Sequence, residues 1–144
     1  MKYYLLLIVL IFTGCSTALQ IPDVSPEIVN MTYKQIPQKD GYGTICVFKD
    51  TKRWFDRYGY PRVLINENQI GTLSVDNAVC AMLLPKTYSV SVFERHYTYQ
   101  DSITVSLETG NIMYLVVNIP VLSFIKEDKA LKILSTKEIE VVEK

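Results

Sequence analysis

A single histidine, His96, would have to serve every catalytic triad, metal site or proton shuttle that this chain of 144 residues could assemble. It sits in Phe93-Glu94-Arg95-His96-Tyr97-Thr98-Tyr99, where a predicted strand runs into a turn and a solvated polar residue is the ordinary occupant. No serine occupies a G-x-S-x-G elbow. Zinc would need Cys46, Cys80 and His96 to converge with a fourth ligand, and no pair of them has the roughly two-to-four-residue spacing of structural sites. Glu94, Asp101 and Glu108 could supply carboxylates for glycoside chemistry, but nothing sets a pair of them apart from surface charge that serves solubility. The expectation is therefore a protein that is not an enzyme and uses no metal and no cofactor.

The residues best suited to recognition lie together between Asp50 and Arg62. This segment holds the only tryptophan, Trp54, with Phe55, Tyr58 and Tyr60, and the arginines Arg53, Arg57 and Arg62. Trp, Tyr and Arg dominate the energetics of interfaces, because they offer large rigid area and directional donors at low entropic cost. A candidate partner-binding set is therefore Arg53, Trp54, Phe55, Arg57, Tyr58 and Tyr60, open to a protein, a glycan or a lipid head group. The competing structural expectation is that Trp54 and Phe55 fold back to plug the end of the domain while the arginines stay in water.

The elements that must carry this segment read as strands. From Gly43 onward, runs of β-branched and aromatic residues alternate with polar ones, separated by turn signals about ten residues apart, the spacing of an all-β sandwich. Strands are predicted over Thr44–Lys49 and Arg62–Asn66, with Val63 and Ile65 inward. A turn at Glu67-Asn68-Gln69 leads to a strand over Ile70–Val75 with Leu73 inward, and a turn at Asp76-Asn77 leads to Ala78–Leu84. Thr87–Tyr97 sets Tyr88, Val90 and Val92 against Ser89 and Ser91, and the next strand sets Ile103, Val105 and Leu107 against Ser102, Thr104 and Ser106. Ile112–Ile119, almost wholly apolar, reads as the most buried strand. Beyond a loop through Lys129, Leu131–Leu134 suggests one more strand. Ser135-Thr136-Lys137-Glu138 matches a capping box and predicts a short C-terminal helix over Thr136–Glu143, held only by docking on the sheet.

Length and composition agree with one domain. A chain of this size supports one ordinary core, and 49% hydrophobic with 21% charged residues excludes disorder throughout. The 15 basic and 15 acidic residues balance, so there is no basic field for nucleic acid. Met1 and Lys2 supply positive charge, Tyr3–Phe12 is an apolar run too short to span a bilayer, and Thr13-Gly14-Cys15 closes it with small residues. Residues 1–14 thus read as a signal peptide. Removing them takes away Lys2 alone, leaving 14 basic against 15 acidic residues. Residues 15–40, with Pro22, Pro26 and Pro37 among polar residues and no sustained period, read as a tether. About 25 residues of coil span on the order of 28 Å, and up to about 80 Å extended. Ile28, Val29, Met31, Tyr33 and Ile36 exceed what a linker needs, so part of it is expected to pack along the domain as an edge strand.

Phe12-Thr13-Gly14-Cys15 resembles a lipobox, with Phe12 where leucine is usual, and this implies acylation at Cys15 and a bacterial lipoprotein. One acyl chain binds a membrane only reversibly, whereas three would hold the domain on it. Ser16 in place of an aspartate favours the outer membrane, facing the periplasm. Export leaves Cys46 and Cys80 either as a disulfide, suited to an oxidising compartment, or as two buried thiols. Val63-Leu64-Ile65-Asn66, then Ile70-Gly71-Thr72-Leu73, Leu84-Pro85 and Tyr88-Ser89-Val90-Ser91-Val92 resemble, in order, the β-sandwich modules of the PEGA and carboxypeptidase-regulatory-like kind, over about residues 43–135. The glycine usual after the proline is absent from Pro85-Lys86-Thr87. The chain is also similar to bacterial lipoproteins of domain-of-unknown-function families.

The resulting expectation is a single antiparallel β-sandwich of about seven strands over residues 41–144, behind a leader and tether and followed by a short helix. The implied role is a non-enzymatic, membrane-anchored module that binds another envelope protein. The alternatives are a glycan- or lipid-binding module, or an inhibitor of a cell-wall enzyme. Fold alone does not choose among them.

Overall fold

Two strands in which every residue is buried, β2 (Gly43–Lys49) and β5 (Asn77–Leu83), form the middle of the molecule. The structure is a computed structural model and describes residues 27–29, 36, 38–50, 59–94, 99–118 and 121–144. Strands β2 and β5 pair antiparallel, with Cys46 opposite Cys80. Around them lie β1 (Glu27–Val29), β8 (Ile112–Asn118), β9 (Val121–Phe124) and β10 (Glu138–Glu143), giving a six-stranded sheet in the order β1-β10-β5-β2-β8-β9. A second sheet of four antiparallel strands has the order β4-β3-β6-β7, from β3 (Arg62–Ile65), β4 (Asn68–Thr72), β6 (Lys86–Glu94) and β7 (Tyr99–Leu107). The fold is mostly β, as expected. Ten strands are described where about seven were expected, and the pairing is mixed, because β2·β8 and β5·β10 run parallel.

The alternation of side chains explains the uninterrupted burial of β2 and β5. Ile45, Val47, Val79 and Ala81 point to one apolar cluster that also takes in Val63, Val90, Val92 and Val105 of the four-stranded sheet. Cys46, Phe48, Ala78 and Cys80 point the other way, into a second cluster with Tyr114, Val116 and Ile139. A strand covered on both faces has no wet side, so it reads as a continuous apolar run. Sequence reasoning assigned that status to Ile112–Ile119. Instead β8 is only partly buried at its start and exposed at Asn118, while β2 and β5 are the strands covered throughout.

The cover over the second cluster is α1 (Glu127–Leu134), where a loop and then a strand over Leu131–Leu134 had been predicted. Ala130 and Leu134, one turn apart, are its buried residues, and Leu131 and Ile133 pack at the margin of the same cluster. Glu127 and Asp128 in the first turn and Lys132 in the last complement the helix dipole. Eight residues cannot sustain a helix alone in water, so docking on Phe48, Tyr114 and Val116 holds it. The helix carries the chain from β9 at one edge across to β10 near the other.

The predicted C-terminal helix is absent. Residues Glu138–Glu143 form β10, parallel to β5 from Glu138↔Asn77 to Glu143↔Met82. The capping-box pattern at Ser135–Glu138 lost to the open edge of β5, which satisfies a whole row of backbone groups and buries Ile139 and Val142. The hairpin between β3 and β4 also turns one residue earlier than predicted, at Asn66 and Glu67, both in the left-handed region. This is the geometry of a two-residue hairpin that matches the strand twist.

Part of the expected tether does lie on the sheet. Strand β1 pairs antiparallel with β10, Glu27↔Val141 to Val29↔Ile139, as an edge strand. Further along, Ile36 packs against the second cluster, and Lys39 pairs with Glu143 while lying 4.6 Å over the Tyr42 ring.

Candidate functional site

Strand directions bring one set of connections to a common pole. There β2 ends at Lys49, β3 begins at Arg62, β5 begins at Asn77, β6 ends at Glu94 and β10 begins at Glu138. The aromatic and arginine-rich segment therefore leaves and rejoins the sheets at this pole.

Lys49 has the same strand parity as Ile45 and Val47, so it projects into the end of the core between the sheets. It is 0% exposed, and its Nζ donates to the Gly59 carbonyl at 2.9 Å. A buried ammonium is tolerated only when its donors are satisfied, and here the acceptor is the backbone at the far end of the aromatic segment. Two residues on, the Pro61 carbonyl accepts from Leu73 N at 2.8 Å. The far end of the segment is thus held twice, by Lys49 of the strand before it and by Leu73 of the turn after β4.

That turn has its own polar frame. Asn77 Oδ1 accepts from Ser74 N at 2.6 Å, and its Nδ2 donates to the Thr72 carbonyl at 3.0 Å and to Glu140 Oε1 at 2.6 Å. Lys137, 7% exposed, donates from Nζ to the Val75 carbonyl at 2.5 Å, and Glu138 N donates to the Asp76 carbonyl at 2.7 Å. Burial pushes the Lys137 pKa down, Asp76 and Asp50 oppose that, and the Lys49 charge adds to it. Two lysines are therefore spent on holding backbone turns.

Over this frame Tyr60 stands 68% exposed, and Arg62 is exposed beside it at the start of β3. Of the predicted partner-binding residues, Tyr60 is the described one. Arg53, Trp54, Phe55, Arg57 and Tyr58 lie outside the described residues, as do Cys15 and His96. Cys46 and Cys80 are joined by a disulfide, with Cα atoms 4.0 Å apart across the β2–β5 ladder. Both sulfurs belong to the cluster under α1, away from the pole.

The carboxylates sort differently from the expectation that all three serve solubility. Glu94 is 2% exposed and shares the inward parity of Val90 and Val92, at the inner end of β6. Asp101 is structural, its Oδ2 accepting from Leu122 N of edge strand β9 at 2.8 Å and its Oδ1 from Ser102 N. Glu108 is exposed and accepts from Asn111. Sequence reasoning missed Lys49, Lys137 and Asn77. The available signal was a lysine closing an otherwise apolar strand, Thr44-Ile45-Cys46-Val47-Phe48-Lys49, where parity alone points it inward.

Among the described residues no group of histidine, cysteine and carboxylate side chains could hold a metal ion, and no helix is long and apolar enough to cross a membrane. A groove of about 440 Å³ runs beside α1, lined by Asp128, Leu131, Lys132 and Ser135. Its one hydroxyl, Ser135 Oγ, donates to the Lys132 backbone carbonyl at 2.8 Å. No family model, curated protein or solved structure matches the chain. At this pole the described residues Tyr60 and Arg62 stand in solvent over a base held by buried hydrogen bonds.

Proposed function

We propose that this protein is an envelope lipoprotein, acylated at Cys15 and held on the outer membrane facing the periplasm. Its two sheets form a β-sandwich module of the PEGA-like or carboxypeptidase-regulatory-like kind that contacts another envelope protein without catalysing a reaction. The observation that carries this reading is the Cys46–Cys80 bridge beside a lipobox-like leader. A disulfide persists in oxidising compartments, and the periplasm is where such a leader delivers a chain. The ring of Tyr60, standing in solvent on a clamped base, favours a surface contact over an enclosed ligand cavity.

Two measurements test it. Labelled palmitate should enter the wild-type protein, and Cys15→Ser should leave the membrane fraction; an unlabelled protein with unchanged fractionation refutes the anchor. Crosslinked envelopes should then yield one specific partner that is lost from Trp54→Ala plus Tyr60→Ala. Recovery of that same partner by the folded variant would refute the contact.

A further inference from the structure

Helix α1 is attached to the molecule differently from the strands beneath it. It has eight residues, and its N-cap residue, Lys126, makes no side-chain capping bond. Among the described residues its hydrogen bonds all close within residues 126–137. Ala130 N donates to the Lys126 carbonyl at 2.9 Å, Ser135 N to the Leu131 carbonyl at 3.0 Å and Lys137 N to the Leu134 carbonyl at 3.0 Å. What fastens it to the sheet is apolar contact, through buried Ala130 and Leu134 with Leu131 and Ile133 at the margin. The segments on either side are tied by ladders instead. Strand β9 pairs with β8 from Leu115↔Phe124 to Asn118↔Val121, and β10 runs along β5 from Glu138↔Asn77 to Glu143↔Met82. Lifting α1 therefore breaks no ladder bond and leaves both flanking strands in place.

Beneath the helix lies a group that can react. Cys46 and Cys80 are both 0% exposed, in the cluster that Ala130 and Leu134 complete. On the opposite face of the same two strands, Ile45, Val47, Val79 and Ala81 pack against the four-stranded sheet. A reagent coming from that side would have to part the two sheets. From the side of α1 it has only a short, uncapped helix to displace, and an isolated helix of this length is unstable in water.

We infer that α1 is a lid on the Cys46–Cys80 bridge, undocking locally while both sheets stay folded, so that a small dithiol reductant reaches the bridge through the lid and not through global unfolding. A thiolate of the reductant attacks one cysteine sulfur, the S–S bond breaks, and its electron pair leaves on the other cysteine, which takes up a proton. The second thiol of the reductant, having lost its proton, then displaces the first cysteine. The products are two protein thiols and the oxidised, disulfide form of the reductant. Neither the membrane anchor nor the partner contact enters into this device. It makes the redox state of the bridge answer to the docking of one short helix.

The test is the rate at which dithiothreitol reduces the full-length protein, read by iodoacetamide quenching and mass spectrometry of the peptides carrying Cys46 and Cys80. In the wild type the logarithm of the rate should rise with urea far less steeply than global unfolding does, because opening a lid exposes a fraction of the surface that unfolding exposes. Leu134→Ala, under the lid, should speed reduction by at least about thirtyfold. Leu115→Ala provides the contrast, because Leu115 is 0% exposed on the other face of the same sheet, between the two sheets. It should weaken the whole domain toward urea while leaving the reduction rate within about twofold. Equal acceleration by both substitutions, or an unchanged rate in Leu134→Ala, overturns the lid. So does a wild-type urea slope equal to that of global unfolding, a result that needs no variant to fold.

Discussion

Opening the Cys46–Cys80 bridge should cost this domain a large share of its stability. The bridge closes a loop with a sequence separation of 34. On the chain-entropy model, that constraint on the unfolded chain is worth about 3.8 kcal/mol at 25 °C. A domain of roughly a hundred residues has an unfolding entropy of about 0.2 kcal/mol/K near its midpoint, so the loss corresponds to a fall in Tm of about 15–20 °C. Reduction is a cleaner perturbation than substitution. Both sulfurs sit fully buried among Phe48, Ala130 and Leu134, and thiols pack there as small apolar groups with little new cost. Serine would add hydroxyls to a dry site and confuse the entropic loss with desolvation. The assay is differential scanning calorimetry of the purified protein with and without dithiothreitol, after counting thiols in denaturant. The reasoning fails if Cys46 and Cys80 react with a thiol reagent before reduction, or if the oxidised and reduced samples melt within about 3 °C of each other.

Other outcomes follow from particular contacts. Leu134→Ala, at a position 1% exposed under α1, should cost about 2–5 kcal/mol and speed hydrogen exchange selectively in α1; uniform exchange changes would contradict a docked helix. Gly71→Ala places a Cβ 2.7 Å from Val79 Cγ2, so overpacking should cost about 1–3 kcal/mol by urea denaturation, and a neutral result would mean β4 can move off β5. Glu67→Gly relieves a left-handed residue at φ 67° and should raise stability by up to about 1 kcal/mol; a loss would show that the side chain contributes to the turn. Because burial lowers the Lys137 pKa, the folded chain releases this proton before the unfolded chain does. Stability should therefore rise with pH from the folded pKa up to the ordinary value of 10.5. Lys137→Met should flatten that rise relative to wild type, with the raised Tyr88 and Tyr114 pKa values, which act oppositely at higher pH, cancelling between the two. Parallel stability curves would remove Lys137 from the account.

The one-sided strands were legible because their chemistry is local. Val63 and Ile65, Tyr88, Val90 and Val92, and Val105 and Leu107 alternate with polar residues, and each points to the core as its parity requires. The same rule, carried one step past Phe48, would have found buried Lys49 and the clamp it makes on Gly59. Errors gathered at the C-terminus, where Leu131–Leu134 and Glu138–Glu143 exchanged roles. Both segments are short and mixed, and a short element takes whichever form its neighbours can bury. Ala130 and Leu134 found the outer face of β2 and β5, and Ile139 and Val142 found the free edge of β5.

The sequence by itself determined that this is a β-rich chain and which residues of its one-sided strands face the core, because these depend on residue type and period. Only the tertiary structure decided the parallel pairings, the placement of Cys46 against Cys80, and the gathering of Lys49, Asn77 and Lys137 around the base of the Tyr60 segment. Those depend on contacts between residues far apart in the chain. Such contacts are chosen by which uncovered edges and faces remain when the sheets close, and that is a property of the whole molecule.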